Sequence, residues 1–212
     1  VYRGLAAMAG RHGLAVVGGD TARGLCLELH VFAVGRVPHG RAILRSGAKA
    51  GDVIYSTGSL GGSLSGRHLR FEPRLEQGKW LSRSGWASAM IDLSDGLASD
   101  LRRLTEMSGT GATIDTDSVP VSSSALRVPS GRSRLEHALY DGEDYELLLT
   151  VPARKALEFE HAWRKDFRLK ISRLGVMTHA TGKICCVAPD GGRTMLKDGG
   201  YEHFLDSNPR SR

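Results

Sequence analysis

The chain has 212 residues, 41% of them apolar and 25% charged, with a formal net charge of +6. That length holds one large domain or two small ones and can bury a real core. No apolar run approaches the roughly 18 residues that a membrane-crossing helix needs, and the opening "VYRGLAAMAGRHG" has none of the parts of a signal peptide.

Taken from the start, Tyr2, Leu5, Met8 and Ala9 fall on one helical stripe, and Gly13 stands where that helix would stop. "LAVVGG" (Leu14 to Gly19) reads as a short buried strand with Asp20 and Thr21 at its mouth. "LCLELHVFAVGRV" (Leu25 to Val37) alternates well enough for a long one. "DVIYSTG" predicts a strand, "SLGGSLSG" a turn opening a short helix, and Glu72 to Arg83 an amphipathic helix with Pro73 near its start. "SAMID" then enters as a strand. "GLASDLRRLTEMSG" is a helix with Leu97, Leu101, Leu104 and Met107 on one face, closed by Gly109 or Gly111. "ATID" is a further strand, and Pro120 to Ser133, rich in Ser, Pro and Arg, reads as a mobile loop.

"YELLLTVP" and "LKISRLGVMT" are strands separated by a helix from about Ala153 to Trp163. "KICCVA", a turn at "PDGG" and "KDGGYEHF" finish the chain. Adjacent Cys185 and Cys186 in a strand point to opposite faces and do not bridge each other. With Cys26 they make an odd count without paired spacing, which fits a reducing, cytoplasmic compartment. Eight histidines show no zinc-ligand spacing. The basic residues are interleaved with acids, so the positive charge suits phosphorylated small ligands as well as nucleic acid. Neither the G-x-G-x-x-G nor the G-x-x-x-x-G-K-[ST] phosphate loop is present, and the strand and helix order predicts an α+β or mixed α/β architecture.

Three segments put carboxylates where strands meet loops: "VVGGDTARG", "MIDLSDGL" and "YDGEDYELLLT". Each has a plain explanation: Asp20 as a turn former, Asp92 and Asp95 as helix caps, "DGED" as a hairpin turn. Together they have another, because convergent carboxylates repel unless a cation lies among them. Magnesium suits an oxygen-only set and fills its remaining positions with water and phosphate oxygens, as phosphoryl transfer requires. Arg45 in "ILRSGAKAGD" is then either a forked phosphate donor or an ordinary surface arginine.

At these residues the chain resembles the thiamine-monophosphate kinase family. The resemblance rests on "YRGLAAMAGRHGLAVVGGDTARG", "RAILRSGAKAGDVIYSTGSLGGS", "MIDLSDGLASDL", "DGEDYELLLTVP" and "GGYEHF", in that order from Tyr2 to Phe204. It implies an aminoimidazole ribonucleotide synthetase-like two-domain fold of the α+β class. Residues 1–37 would be the remnant of an amino-terminal ATP- and metal-binding domain, and 38–212 the complete carboxy-terminal domain. It also implies an upstream acidic segment that completes the metal shell, and a homodimer built through the amino-terminal domain.

The implied activity is magnesium-dependent transfer of a phosphoryl group from ATP to thiamine phosphate, giving thiamine diphosphate. No nucleic acid or membrane takes part. Carried over by motif, Asp20, Asp92 and Asp95 would bind magnesium. Tyr2, Gly19, Asp20, Arg45 and Ser94 would meet ATP, and Glu143 and Tyr201 the thiamine moiety, with Phe204 close to Tyr201 in the chain. The resemblance names no catalytic acid or base. Competing expectations are another ATP-using member of the same superfamily and a non-catalytic remnant that binds phosphorylated ligands.

Overall fold

The structure is a computed structural model that describes residues 1–128 and 130–200. The chain divides into two compact units, Val1–Arg36 and Val37–Arg212. In the first, helix α1 (Tyr2–Arg11) forms where its stripe predicts, and Gly13 follows it at φ 65°. Neither expected strand of this unit forms. Residues 14–36 pair with nothing in a β ladder among the described residues, and Val17, Leu25 and Val34 are fully exposed. Alternating apolar residues make a strand only when a neighbour takes up their N–H and C=O groups and covers one face.

The second unit is built on seven strands: β1 (Val53–Thr57), β2 (Ala89–Leu93), β3 (Gly111–Asp115), β4 (Glu146–Val151), β5 (Ile171–Thr178), β6 (Ile184–Val187) and β7 (Arg193–Met195). Their order is β2-β4-β1-β5-β3-β6-β7, antiparallel except for β3 with β6. Helices α2 (Leu75–Ser84), α3 (Leu97–Ser108), α4 (Arg134–Tyr140) and α5 (Ala156–Asp166) complete the unit.

Both faces of the sheet are buried at β1, which explains why that strand reads as an unbroken apolar and hydroxyl run and not as an alternating one. Ile54, Ile91, Leu93 and Leu148 pack with Leu97, Leu101 and Leu104 of α3 and with Ala138 and Leu139 of α4. Val53, Tyr55, Leu149 and Val151 turn the other way, onto Leu81 of α2 and Phe159 and Trp163 of α5. The register of β1 on β5 shifts between Ile54 and Tyr55. Gly175 lies at that shift, and any side chain there would collide with the Thr113 carbonyl of β3.

Helix α2 starts at Leu75, later than its apolar pattern predicts. A residue preceding proline is driven out of the helical region, so Glu72 ahead of Pro73 is left out of the helix. Helix α3 ends on Gly109 in the left-handed conformation at φ 64°, one of the two stops expected. Residues 120–133 hold more structure than a loop. Leu60 and Val121 form a bridge, Ser123–Arg127 make a 3-10 turn with Ala125 buried, and Ser133 caps α4. The cysteines are all free, with Cys186 buried and Cys185 half-buried on the other side of β6.

Candidate active site

The turn after β2 and the turn before β4 are locked together. Glu143 N–H donates to the Ser94 carbonyl at 2.7 Å and Tyr145 N–H to the Leu93 carbonyl at 2.8 Å. Two glycines permit the approach. A side-chain carbon at Gly142 would stand 2.7 Å from the Ser94 oxygen, and one at Gly96 would stand 2.9 Å from the Asp141 oxygen. "LSDG" and "DGEDY" therefore meet on one rim, at the edge of the sheet where β2 lies.

The acids of this rim divide into two sets. Asp141, Asp144 and Glu146 point inward and are buried. Asp144 accepts from Ser63 Oγ at 2.6 Å, from Gly61 N–H and from Arg67 Nη2 at 2.5 Å. Glu146 takes a forked pair from Arg74, Nε at 2.8 Å and Nη2 at 2.6 Å, and a third bond from Thr57 Oγ1 at 2.7 Å. Asp141 pairs with His137 Nδ1 at 2.7 Å and with Arg132, and accepts the Gly62 N–H. Burial raises the Asp144 pKa, while its hydrogen bonds and Arg67 pull it down. Asp144 and Asp141 take up the backbone N–H groups of Gly61 and Gly62 and hold that loop in place.

The second set faces outward. Asp92 is exposed on β2, and among the described residues its carboxylate has neither a hydrogen bond nor an ion pair. Glu143 is half-buried and accepts from the Tyr145 hydroxyl at 2.9 Å. Asp95 is bound by Arg103 Nη1 at 2.5 Å, and the same guanidinium holds Asp100 at 2.6 Å. Asp100 is fully buried in the first turn of α3 and accepts the Asp95 N–H at 3.0 Å. Burial pushes the Asp100 carboxyl up to about 6, against the pull of that N–H and of Arg103.

Capping does not explain "LSDG". The N-cap of α3 is Gly96, and no side chain caps the helix. The amide served at this turn is Asp95's own, by Asp100 from within the helix. Asp92 and Ser94 are free for another task, and Asp92 is the open carboxylate.

Other expected site residues lie elsewhere. The Arg45 carbonyl accepts from Ser108 Oγ at 3.1 Å, at the carboxy-terminal end of α3. Asp95 precedes the amino-terminal end of a helix about 18 Å long, so the fold does not bring the Arg45 backbone to the acidic rim. In the first unit, the Tyr2 hydroxyl lies 3.0 Å from Thr21 Oγ1, and Asp20 Oδ1 accepts the Thr21 N–H at 2.7 Å, so Tyr2, Gly19 and Asp20 form one local cluster. Tyr201 and Phe204 lie outside the described residues. Gly200, just ahead of Tyr201, packs against the rim, where a side-chain carbon would stand 2.6 Å from the Asp95 oxygen. Among the described residues, no three His, Cys, Asp or Glu side chains converge into a metal cluster.

Sequence reasoning missed Arg67, Phe71, Arg74, Asp100, Arg103 and Tyr145. A signal was present: Asp144 and Glu146 sit two apart at the start of a strand, share a face and cannot both be buried without cations. "RHLRFEPR" supplies those cations.

Residues 49–185 match the family model for the AIR synthase related protein, C-terminal domain. The chain belongs to the AIR synthase related family. Its curated relatives in this family bear out the resemblance read from the motifs. It is 38% identical to the thiamine-monophosphate kinase of Salmonella typhimurium, over 94% of this chain and 66% of that protein. It is 37% identical to that of Rhodopirellula baltica, over 86% of this chain and 57% of that protein. A solved structure described as AaThiL complexed with AMPPCP and TMP matches at TM-score 0.58 and 27% identity, over 76% of this chain and 54% of that one. The chain thus spans less than two thirds of the length of each of these relatives. Among the described residues, no helix is long and apolar enough to cross a membrane.

Proposed function

We propose that this chain is the carboxy-terminal part of a thiamine-phosphate kinase, a cytoplasmic enzyme that transfers the γ-phosphoryl group of ATP to thiamine phosphate. In this reading residues 1–37 belong with an amino-terminal ATP- and metal-binding domain, residues 38–212 form the carboxy-terminal domain, and the whole enzyme is a homodimer acting on small molecules alone. The observation that carries the reading is the junction of the "LSDG" and "DGEDY" turns. It brings Asp92, Asp95 and Glu143 to one rim, with Asp92 free of any ion pair among the described residues, while Asp141, Asp144 and Glu146 are each held by an arginine. The relative solved with AMPPCP and TMP adds support, because those ligands stand for ATP and thiamine phosphate.

The donor set fits magnesium, which takes one or two carboxylates and keeps water or phosphate oxygens elsewhere. Asp92 would hold such an ion as it stands, and Asp95 would join it on giving up Arg103. Bound magnesium would neutralise charge between the donor phosphates. The chain's own residues do the positioning. Asp92 and Asp95 fix where the polyphosphate lies, and Ser94 between them offers a hydroxyl to a phosphate oxygen. Arg45 offers a guanidinium fork to ATP, with Tyr2, Gly19 and Asp20 beside the nucleotide. Glu143 answers the permanent positive charge of the thiazolium or the amino group of the pyrimidine, and Tyr201 flanks the same moiety. An oxygen of thiamine phosphate then attacks the γ-phosphorus in line, and the bond to the β,γ-bridging oxygen breaks to release ADP.

The test is Glu143→Gln in the full gene product that carries this chain. The amide keeps the shape and loses the charge, so the KM for thiamine phosphate should rise roughly tenfold or more while that for ATP changes little. An equal loss for both substrates, or no loss for either, would remove the thiamine assignment.

A further inference from the structure

Three consecutive residues leading into and opening β4 are each met by a residue of the segment before α2. Asp144 pairs with Arg67 at 2.5 Å, Tyr145 stacks on Phe71, and Glu146 is forked by Arg74. The two ion pairs point into the protein, with carboxylate side chains only 2% and 3% exposed. They pin residues 67–74 on either side of the aromatic pair. Between them the rings of Phe71 and Tyr145 lie nearly parallel, 4.2 Å between centroids and 23° between planes, and both stay half-buried at the surface.

The backbone here is held in an unfavourable shape to present that ring. Glu143 at φ 66° and Tyr145 at φ 50° are the only described non-glycine residues with positive φ. Bulky side chains rarely adopt this region, and such strain gathers at binding and catalytic sites. It is maintained by the Glu143 and Tyr145 amide bonds to the β2 turn. The Tyr145 hydroxyl donates to the Glu143 carboxylate at 2.9 Å. Burial raises the Tyr145 pKa most, followed by the hydrogen bond to Glu143 and that residue's charge, with Asp92 and Asp95 adding to it. A stack serving only to fill space gains nothing from an anion held beside it. A flat cation lying on the ring would meet both the π face and the Glu143 carboxylate.

We propose that the Phe71–Tyr145 stack is the wall on which the cationic heteroaromatic ring of the substrate lies, with Glu143, held by the Tyr145 hydroxyl, as its counter-charge. The inference rests on the thiamine-phosphate reading and adds to it the surface that recognises the charge. Arg67 and Arg74 act through the stack as positioning residues.

The experiment measures binding of thiamine phosphate and of its uncharged analogue, in which a thiophene replaces the thiazolium, by equilibrium dialysis against the full gene product. Wild type should prefer the cation by about tenfold, the scale of a partly desolvated cation–π contact with a nearby acid. Tyr145→Leu and Phe71→Leu should bring the ratio to within about twofold of unity, by loss of affinity for the cation and not for the neutral analogue. Tyr145→Phe keeps the ring but frees Glu143. It should retain the fold and lose about threefold in affinity for the cation alone, so it decides the matter where a leucine variant fails to fold.

A wild-type protein that binds both ligands equally would overturn the proposal. So would a Tyr145→Leu variant that keeps the full preference, or a Tyr145→Phe variant indistinguishable from wild type. In the last two cases thiamine phosphate is still bound, and only this inference fails. If wild type binds neither ligand, the thiamine-phosphate reading falls and the inference with it.

Discussion

Asp92 and Glu146 carry the same functional group on adjacent paired strands, yet they have opposite fates. Asp92 stands in solvent with no partner among the described residues, while Glu146 is buried with three donors on it. Asp92→Asn should therefore leave stability within about 0.5 kcal/mol of wild type while abolishing most magnesium-dependent turnover. A thermal melt beside a steady-state assay separates the two effects, and a destabilised but active variant would make Asp92 structural. Arg74→Met should do the reverse. Stranding the Glu146 carboxylate in the interior should cost about 3 kcal/mol, read as a lowered denaturation midpoint. An unchanged midpoint would mean that Glu146 is protonated or solvated in the folded chain. The sequence marks all these acids as candidates but does not sort them. Alternation from Leu147 back through Tyr145 to Glu143 separates outward from inward positions, but the cations that meet Asp144 and Glu146 come from 72 or more residues away.

Strands β1 to β6 and helices α3 and α5 could be read from the sequence because each carries an apolar pattern of its own, and Gly109 marks the end of α3. Helix α4 and strand β7 could not. Strand β7 is a fully exposed three-residue edge with no buried face to give it a pattern. Helix α4 is only seven residues long and sits in a Ser-, Pro- and Arg-rich stretch that reads as loop. What marks its start is chemical. Ser133 Oγ accepts the Glu136 N–H and Glu136 returns a bond to Ser133 N–H, the S-x-x-E reciprocal cap present in "SRLE". Ser133→Ala should cost about 1 kcal/mol. Since α4 carries His137, which holds Asp141, that loss should also loosen the loop at Gly62, whose N–H Asp141 accepts, seen as faster amide exchange there. Normal exchange there would mean that Asp141 holds the loop without help from α4.

The two units differ in how their backbones are satisfied. The second unit carries a hydrogen-bonded sheet that is packed on both faces around β1 and β4, whereas residues 15–36 make no backbone–backbone hydrogen bonds to one another or to other described residues. In the 212-residue chain, amides of 15–36 should exchange within seconds and those of β1, β4 and β5 slowest of all. Slow exchange across Leu25 to Val37 would instead reveal the strand that its alternation predicts. That stretch and Leu14 to Gly19 could be read only as potential strands, because pairing depends on a neighbour and no local pattern supplies one. The chain spans 57% and 66% of the two curated relatives named above, so full activity is expected of the complete gene product. The most direct measurement is thiamine diphosphate formation by that product from thiamine phosphate, ATP and magnesium, with Asp92→Asn assayed beside wild type. Wild type should form thiamine diphosphate until magnesium is chelated, and the variant should be slower by orders of magnitude. No thiamine diphosphate from wild type, or equal rates from both proteins, would contradict that expectation.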